Sequence, residues 1–205
     1  MKKSIRILLC FLMLAVLLVS CDHGTNNSVF VGANISPLFD VSEATDTINS
    51  LSASNLSDGN WKFKSVHGDT YSQVQNRAIS VDGSDSYEHC DVSSYKLAVI
   101  QEFSISNGTV SNINGTKTFE WTMDDANKTK LNNFAASKGV TLNWNGNTVA
   151  VVTNLTTNEF LGYMFTYSSD TTWYEAKKNS TGTKFVVKHR YETNTYHDAH
   201  YLMKK

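Results

Sequence analysis

The chain has no excess of positive charge. Lys and Arg number 18 against 19 Asp and Glu in 205 residues, a formal net charge of −1 at pH 7. Nucleic acids and other polyanions need basic patches on their partners, so neither is expected to be bound. Long apolar runs are also lacking. The one at the amino terminus is shorter than the ~20 helical residues a bilayer requires, and no second run reaches that length. A membrane-spanning segment is therefore not expected. No serine sits in a Gly-x-Ser-x-Gly elbow and no glycine-rich phosphate loop occurs. Internal repeats and coiled-coil heptads are absent. Proline occurs once, at Pro37, while Asn, Ser and Thr are abundant. Triplets such as Asn107-Gly108-Thr109 and Asn154-Leu155-Thr156 arise by chance in such a composition and are not read as glycan sites.

What is present begins with the leader. Lys2, Lys3 and Arg6 precede an apolar run from Ile7 to Val19, which ends in Leu18-Val19-Ser20-Cys21. A basic flank and a short apolar stretch describe a cleavable export signal, to be left out of fold reasoning. The last four residues resemble the lipobox of bacterial lipoproteins. The resemblance implies cleavage before Cys21, diacylation of its thiol with a diacylglyceryl group, and acylation of the new amine, commonly with palmitate. Two or more acyl chains hold a protein stably on a membrane, at ~0.8 kcal/mol per buried methylene. The expected location is thus a cell membrane, lipid-anchored and outside the cytoplasm. Asp22 resembles a plasma-membrane retention signal of enteric-type bacteria, but plasma and outer membrane both stay open. Loss of residues 1–20 removes three positive charges and no acids, leaving 15 basic against 19 acidic residues, a net charge of −4.

With Cys10 removed in the leader and Cys21 lipidated, only Cys90 remains, so no internal disulfide is available. The fold must rest on its hydrophobic core. Residues 21–38 are polar and read as a flexible tether, and 39–205 as a single β-rich domain. Asp40-Val41-Ser42-Glu43 has the form of a capping box, and Val41, Ala44, Ile48 and Leu51 fall at helical spacing, which predicts a helix over 41–53. Beyond residue 60 the period changes to two. Trp61/Phe63, Phe103/Ile105, Phe119/Trp121/Met123, Val140/Leu142/Trp144, Val149/Val151, Leu161/Tyr163/Phe165/Tyr167 and Phe185/Val187/His189/Tyr191 each alternate along one face. Asn107-Gly108 and Asn145-Gly146 are strong hairpin signals, and Asp58-Gly59, Asp82-Gly83, Asn114-Gly115 and Thr181-Gly182 add turns. The pattern predicts eight to ten mostly hairpin-linked strands. The fold class is mainly β, an antiparallel barrel or sandwich with one or two short helices. One helix is predicted mid-chain, over 124–138. It is opened by Asp124 and Asp125, striped with Leu131, Phe134 and Ala135, and closed by Lys138-Gly139.

Gly59-Asn60-Trp61, opening the first long strand, resembles the Gly-x-Trp motif of lipocalins. That resemblance implies an eight-stranded barrel closed at one end by Trp61, with Arg190 packed across it. The chain departs from the family in placing its helix mid-chain, and it carries no Thr-Asp-Tyr motif.

Candidate chemistry is sparse. His197-Asp198-Ala199-His200 is the one histidine cluster. In a terminal strand its two imidazoles point to opposite faces, and spacing selects neither His67 nor His189 as a further ligand. No metal or cofactor is expected. The acidic run from Asp82 to Asp91, with Asp85 and Glu88, lacks the regular ligand spacing of a calcium loop and reads as solvated. Cys90 beside His89 reads as a small half-buried side chain. Trp61, Trp121, Trp144 and Trp173, with Tyr163, Tyr167 and Tyr174, read as core or as the wall of an apolar pocket. The expected function is non-enzymatic: an envelope lipoprotein whose domain binds an apolar or amphipathic small ligand. The alternative is a surface interaction protein, an adhesin or a subunit of an envelope protein complex.

Overall fold

A computed structural model describes residues 30–190 and 198–205. Cys21 and the rest of the leader, and His197, lie outside the described residues. The described chain is mainly β, with nine strands in one antiparallel sheet and two α-helices. The strands are β1 (Asp46–Thr47), β2 (Gly59–Ile79), β3 (Glu88–Ser106), β4 (Thr109–Thr122), β5 (Trp144–Asn145), β6 (Thr148–Asn154), β7 (Tyr174–Lys178), β8 (Lys184–His189) and β9 (Asp198–Lys204). The helices are α1 (Asp125–Ser137) and α2 (Glu159–Tyr167). Strand order is β1-β7-β8-β9-β2-β3-β4-β6-β5.

The sheet is open. Two antiparallel runs, β2-β3-β4-β6 and β7-β8-β9, are joined by β2 pairing with β9. Closure would require the edge strands β1 and β5 to pair, and no such pairing occurs among the described residues. The chain between β6 and β7 forms α2. Leu161 and Met164 of α2 are fully buried with Trp61, Phe63, Val99, Phe185, Val187 and Leu202. The helix thus covers the face that a closed barrel would turn inward. Sequence alternation points to a strand over 161–167. The segment is apolar at nearly every position, so period two and period 3.6 both fit it, and packing decides for the helix.

The predicted helix over 41–53 does not form either. Asp40 caps a single 3-10 turn at Val41–Glu43, accepting from the Ser42 amide at 3.0 Å. Glu43 pairs with Lys184 rather than closing a capping box. Ala44 is buried with Val66, Val186, Ala199 and Tyr201, whereas Leu51 is buried with Trp61 and Phe63. Adjacent side chains on β2 point to opposite sides, so these groups lie on opposite faces of the sheet. One helix cannot bury its stripe on both. The chain instead rounds the sheet edge through β1.

The last part of the expected tether packs as well. Ile35, Leu38 and Phe39 cover Val66 and Tyr201, with the Phe39 and Tyr201 rings edge-on at 5.8 Å. The Ala33 amide donates to Glu120 at 2.9 Å, and Glu120 pairs with Lys96 at 2.7 Å. At Gly32 a Cβ would lie 2.3 Å from the Glu120 carboxylate, so a larger residue there would have to displace that side chain.

The mid-chain helix forms as its caps dictate. The Asp124 carboxylate accepts from the Asn127 amide at 2.8 Å, Leu131 and Ala135 are buried, and Gly139 adopts φ 69° past its end. Asn107 (φ 49°) and Gly108 (φ 73°) make the β3–β4 turn. Asn114-Gly115, by contrast, is not a turn. Gly115 lies within β4 and packs on the β3 backbone.

Candidate functional site

The longest hairpin builds the site. β2 and β3 have 21 and 19 residues, well beyond the usual strand of about 5–6. β9 accompanies β2 only as far as His67, and β4 accompanies β3 only from Ser94 onward. The rest of the hairpin is an arm. At its base the register breaks between Thr70 and Gln75, where Tyr71 to Val74 stand against Ser93 alone. Extra residues on one strand bend it and increase its twist. The arm accordingly folds back over the β4–β6 wing of the sheet. Its tip reaches β6: a Cβ on Gly83 would lie 3.3 Å from Thr153.

Two sets of contacts hold the arm down. Ile79, Val81, Cys90 and Val92 are buried with Trp121, Met123, Val149 and Val151, and with Leu131 and Ala135 of α1. Polar ties run to α1 as well. The Asp91 amide donates to Asn127 at 3.0 Å, Lys130 pairs with Glu88 at 3.0 Å, and Lys138 donates to Ser86 at 2.9 Å. Asp82 accepts from the Ser84 amide at 3.0 Å, which fixes the tip turn and holds its carboxyl below the usual range. The acidic run is thus a structured turn and strand. Cys90 is fully buried against α1, and burial pushes its thiol up to about 11, so it stays protonated and unreactive.

Between the arm and the sheet lies a cavity of about 410 Å³, within the ~300–1,000 Å³ range of small-molecule sites. Its floor is an aromatic pair on β4. Phe119 and Trp121 alternate onto one face and stack at 5.1 Å with an interplanar angle of 14°. Val151 and Thr153 of β6 extend the floor. The arm supplies the roof through Ala78, Ser80, Ser84 and Tyr87. Two cations line the cavity. Lys117 lies over the Phe119 ring at 5.4 Å. The Arg77 guanidinium lies 5.1 Å from the Tyr71 ring centre and 5.2 Å from that of Tyr95, and it donates to the Tyr71 hydroxyl. Arg77 Nε is buried and has no hydrogen-bond partner among the described residues. Burial raises the Tyr95 phenol to about 12, so at neutral pH it keeps its proton.

Other expected site residues fall elsewhere. Trp61 is fully buried, donates from Nε1 to the Ser57 carbonyl at 3.0 Å, and packs on Phe185 at 6.0 Å. Arg190 is exposed and lies past the far end of β8. Trp61 stands opposite Lys204, while the Arg190 end of β8 runs towards Asp198, which stands opposite His67. The structure does not bring Trp61 and Arg190 together. The space beside Trp61 is a smaller, polar hollow of about 220 Å³, so the apolar cavity is not behind that residue. Trp121 is the tryptophan that lines it. Trp144 instead donates to Asn132 at 2.9 Å beside α1, and Trp173 is exposed. His200 is buried between Phe63 and Tyr167. No group of three or more metal-ligating side chains converges among the described residues.

Sequence reading missed Arg77 and Lys117. Lys117 carried a signal, since it shares the period-two face of Phe119 and Trp121. Arg77 carried none, because its position depends on the bend at Tyr71–Val74. No helix among the described residues is long and apolar enough to cross a membrane. The chain matches no known protein family, no curated protein and no solved structure.

Proposed function

We propose that the protein is a lipid-anchored envelope lipoprotein whose β-rich domain binds an apolar or amphipathic small ligand without catalysing a reaction. The cavity under the β2–β3 arm carries the ligand reading. It joins a stacked aromatic floor to a few polar groups, which is the composition of small-molecule sites. The anchor reading rests on the leader, with Cys21 as the acylated residue and the extracytoplasmic side of a cell membrane as the location. We read the fold as a barrel left open, a lipocalin-like wall in which α2 covers the face that a closed barrel would turn inward.

Two experiments test these halves separately. Cys21→Ala should move the protein from the detergent phase to the aqueous phase; unchanged partitioning removes the anchor. For the ligand half, uncharged N-phenylnaphthylamine should bind the full chain and accept energy from Trp121. Trp121→Phe should abolish most of that transfer. No binding, or transfer untouched by the substitution, removes this cavity as a ligand site.

The rival reading, a surface that binds another protein, is favoured by two exposed aromatics. Trp173 is 53% and Tyr163 is 40% exposed.

A further inference from the structure

We infer that the ligand of the arm cavity is an organic anion with an apolar body, its charged group held by Arg77 and Lys117 and its body packed against the Phe119–Trp121 pair. This inference rests on the cavity being a ligand site and specifies the chemistry of what it takes.

Charge supplies the first ground. Arg77 and Lys117 both line the cavity, and no carboxylate among the described residues does. No Asp or Glu lies within ion-pair distance of either cation among the described residues, although seven other Lys or His side chains are paired in that way. Asp82, at the tip of the arm, is turned onto the Ser84 amide. Two unmatched cations in a partly enclosed, aromatic-walled space set up a positive potential that an anion would relieve.

Arg77 supplies the second. Its guanidinium lies over the Tyr71 and Tyr95 rings, and the Tyr71 hydroxyl takes one of its five N–H groups. A pre-oriented planar fork matches a carboxylate, phosphate or sulfonate better than a mobile ammonium does.

The aromatic pair supplies the third. Phe119 and Trp121 stack on one another, and with Val151 they give the cavity an apolar wall. Such a wall suits an apolar body more than a fully hydrated ion. An anionic lipid headgroup with its first methylenes and a free aromatic acid share this chemistry.

The test compares two probes on the full chain that differ by one charged group, anilinonaphthalene sulfonate and uncharged N-phenylnaphthylamine. The sulfonate should bind at least about tenfold more tightly, and its advantage should shrink as salt rises. Lys117→Gln and Arg77→Gln should each cost the sulfonate about tenfold and leave the uncharged probe unchanged. Arg77 packs against two tyrosines and its loss can disturb the arm. Lys117→Gln, which removes no such packing, therefore decides the matter, with an unchanged thermal midpoint as its control. Inorganic phosphate should fail to displace the sulfonate at concentrations where dihexanoyl phosphatidylglycerol or naphthalene carboxylate succeeds. Displacement by the first of these assigns the anion to a lipid headgroup, by the second to a free acid. Equal affinity for the two probes overturns the anion while leaving the cavity a ligand site. Displacement by phosphate alone overturns the apolar body. Failure of both probes to bind removes the ligand site and this inference with it.

Discussion

His200 sits in β9 with 3% of its surface exposed, stacked on Phe63 at 6.3 Å and beside Tyr167 at 5.5 Å. Neither ring nitrogen has a hydrogen-bond partner among the described residues. Burial pulls its pKa down to about 4, against the opposing pull of Asp198, whose carboxylate lies 3.8 Å away. The native imidazole is therefore neutral where the unfolded one, titrating at about 6.5, is already charged. Below that pH the unfolded state binds the extra proton, so stability falls from about pH 6.5 to about pH 4. The loss is on the order of 3 kcal/mol. Glu102 and Glu175, held low by hydrogen bonds from Lys205 and Lys177, lose their contributions at the acid end of this range and below. Thermal midpoints across pH 4–7 should show the histidine limb in the native chain and lose it in His200→Phe. An unchanged slope in that variant would refute the assignment. Trp61→Ala should cost about 3–5 kcal/mol, as the loss of a fully buried large side chain does. Because Arg190 lies at the far end of β8, the Trp61→Ala and Arg190→Ala effects should add to within about 0.5 kcal/mol in a double-mutant cycle. A larger coupling would restore the lipocalin-type closure.

At the scale of elements, local signals decided where they were the only determinant. Asp124, the Leu131 stripe and Gly139 define α1, and Asn107-Gly108 defines the β3–β4 turn, from chemistry contained in a few residues. Signals failed where two partners competed. Residues 41–53 have helical spacing, but their apolar side chains serve opposite faces of the sheet. Residues 161–167 alternate, but their apolar character is continuous and α2 forms. Asn114-Gly115 has the form of a turn, but Gly115 is demanded by its neighbours. A Cβ there would lie 2.1 Å from the Ile100 carbonyl and 2.8 Å from Gln101 Cα, both backbone atoms. Gly115→Ala should therefore lower the thermal midpoint strongly. Gly162, in the middle of α2, has open space around its Cβ position and no positive φ. Gly162→Ala should raise stability by about 0.5–1 kcal/mol through helix propensity. If Gly115→Ala were neutral, or Gly162→Ala destabilising, the packing of β3 on β4 or the helical state of α2 would be wrong.

At the scale of the whole molecule, the open sheet and the bent arm create the cavity together. Neither was legible in the sequence. The alternation of Phe119 and Trp121 showed a face but not what lay over it, and a four-residue register break has no signature in a period-two pattern. Arg77 and Lys117 lie 40 positions apart in sequence and line one cavity only because the arm folds back. Hydrogen exchange on the full chain, with and without saturating anilinonaphthalene sulfonate, reports directly on that geometry. Slowed exchange is expected in residues 77–87 of the arm and 117–121 of β4, with no change in residues 48–57 and 181–185, which line a separate hollow of about 470 Å³. Protection confined to that second set, or to the surface bearing Tyr163 and Trp173, would contradict a ligand site under the arm.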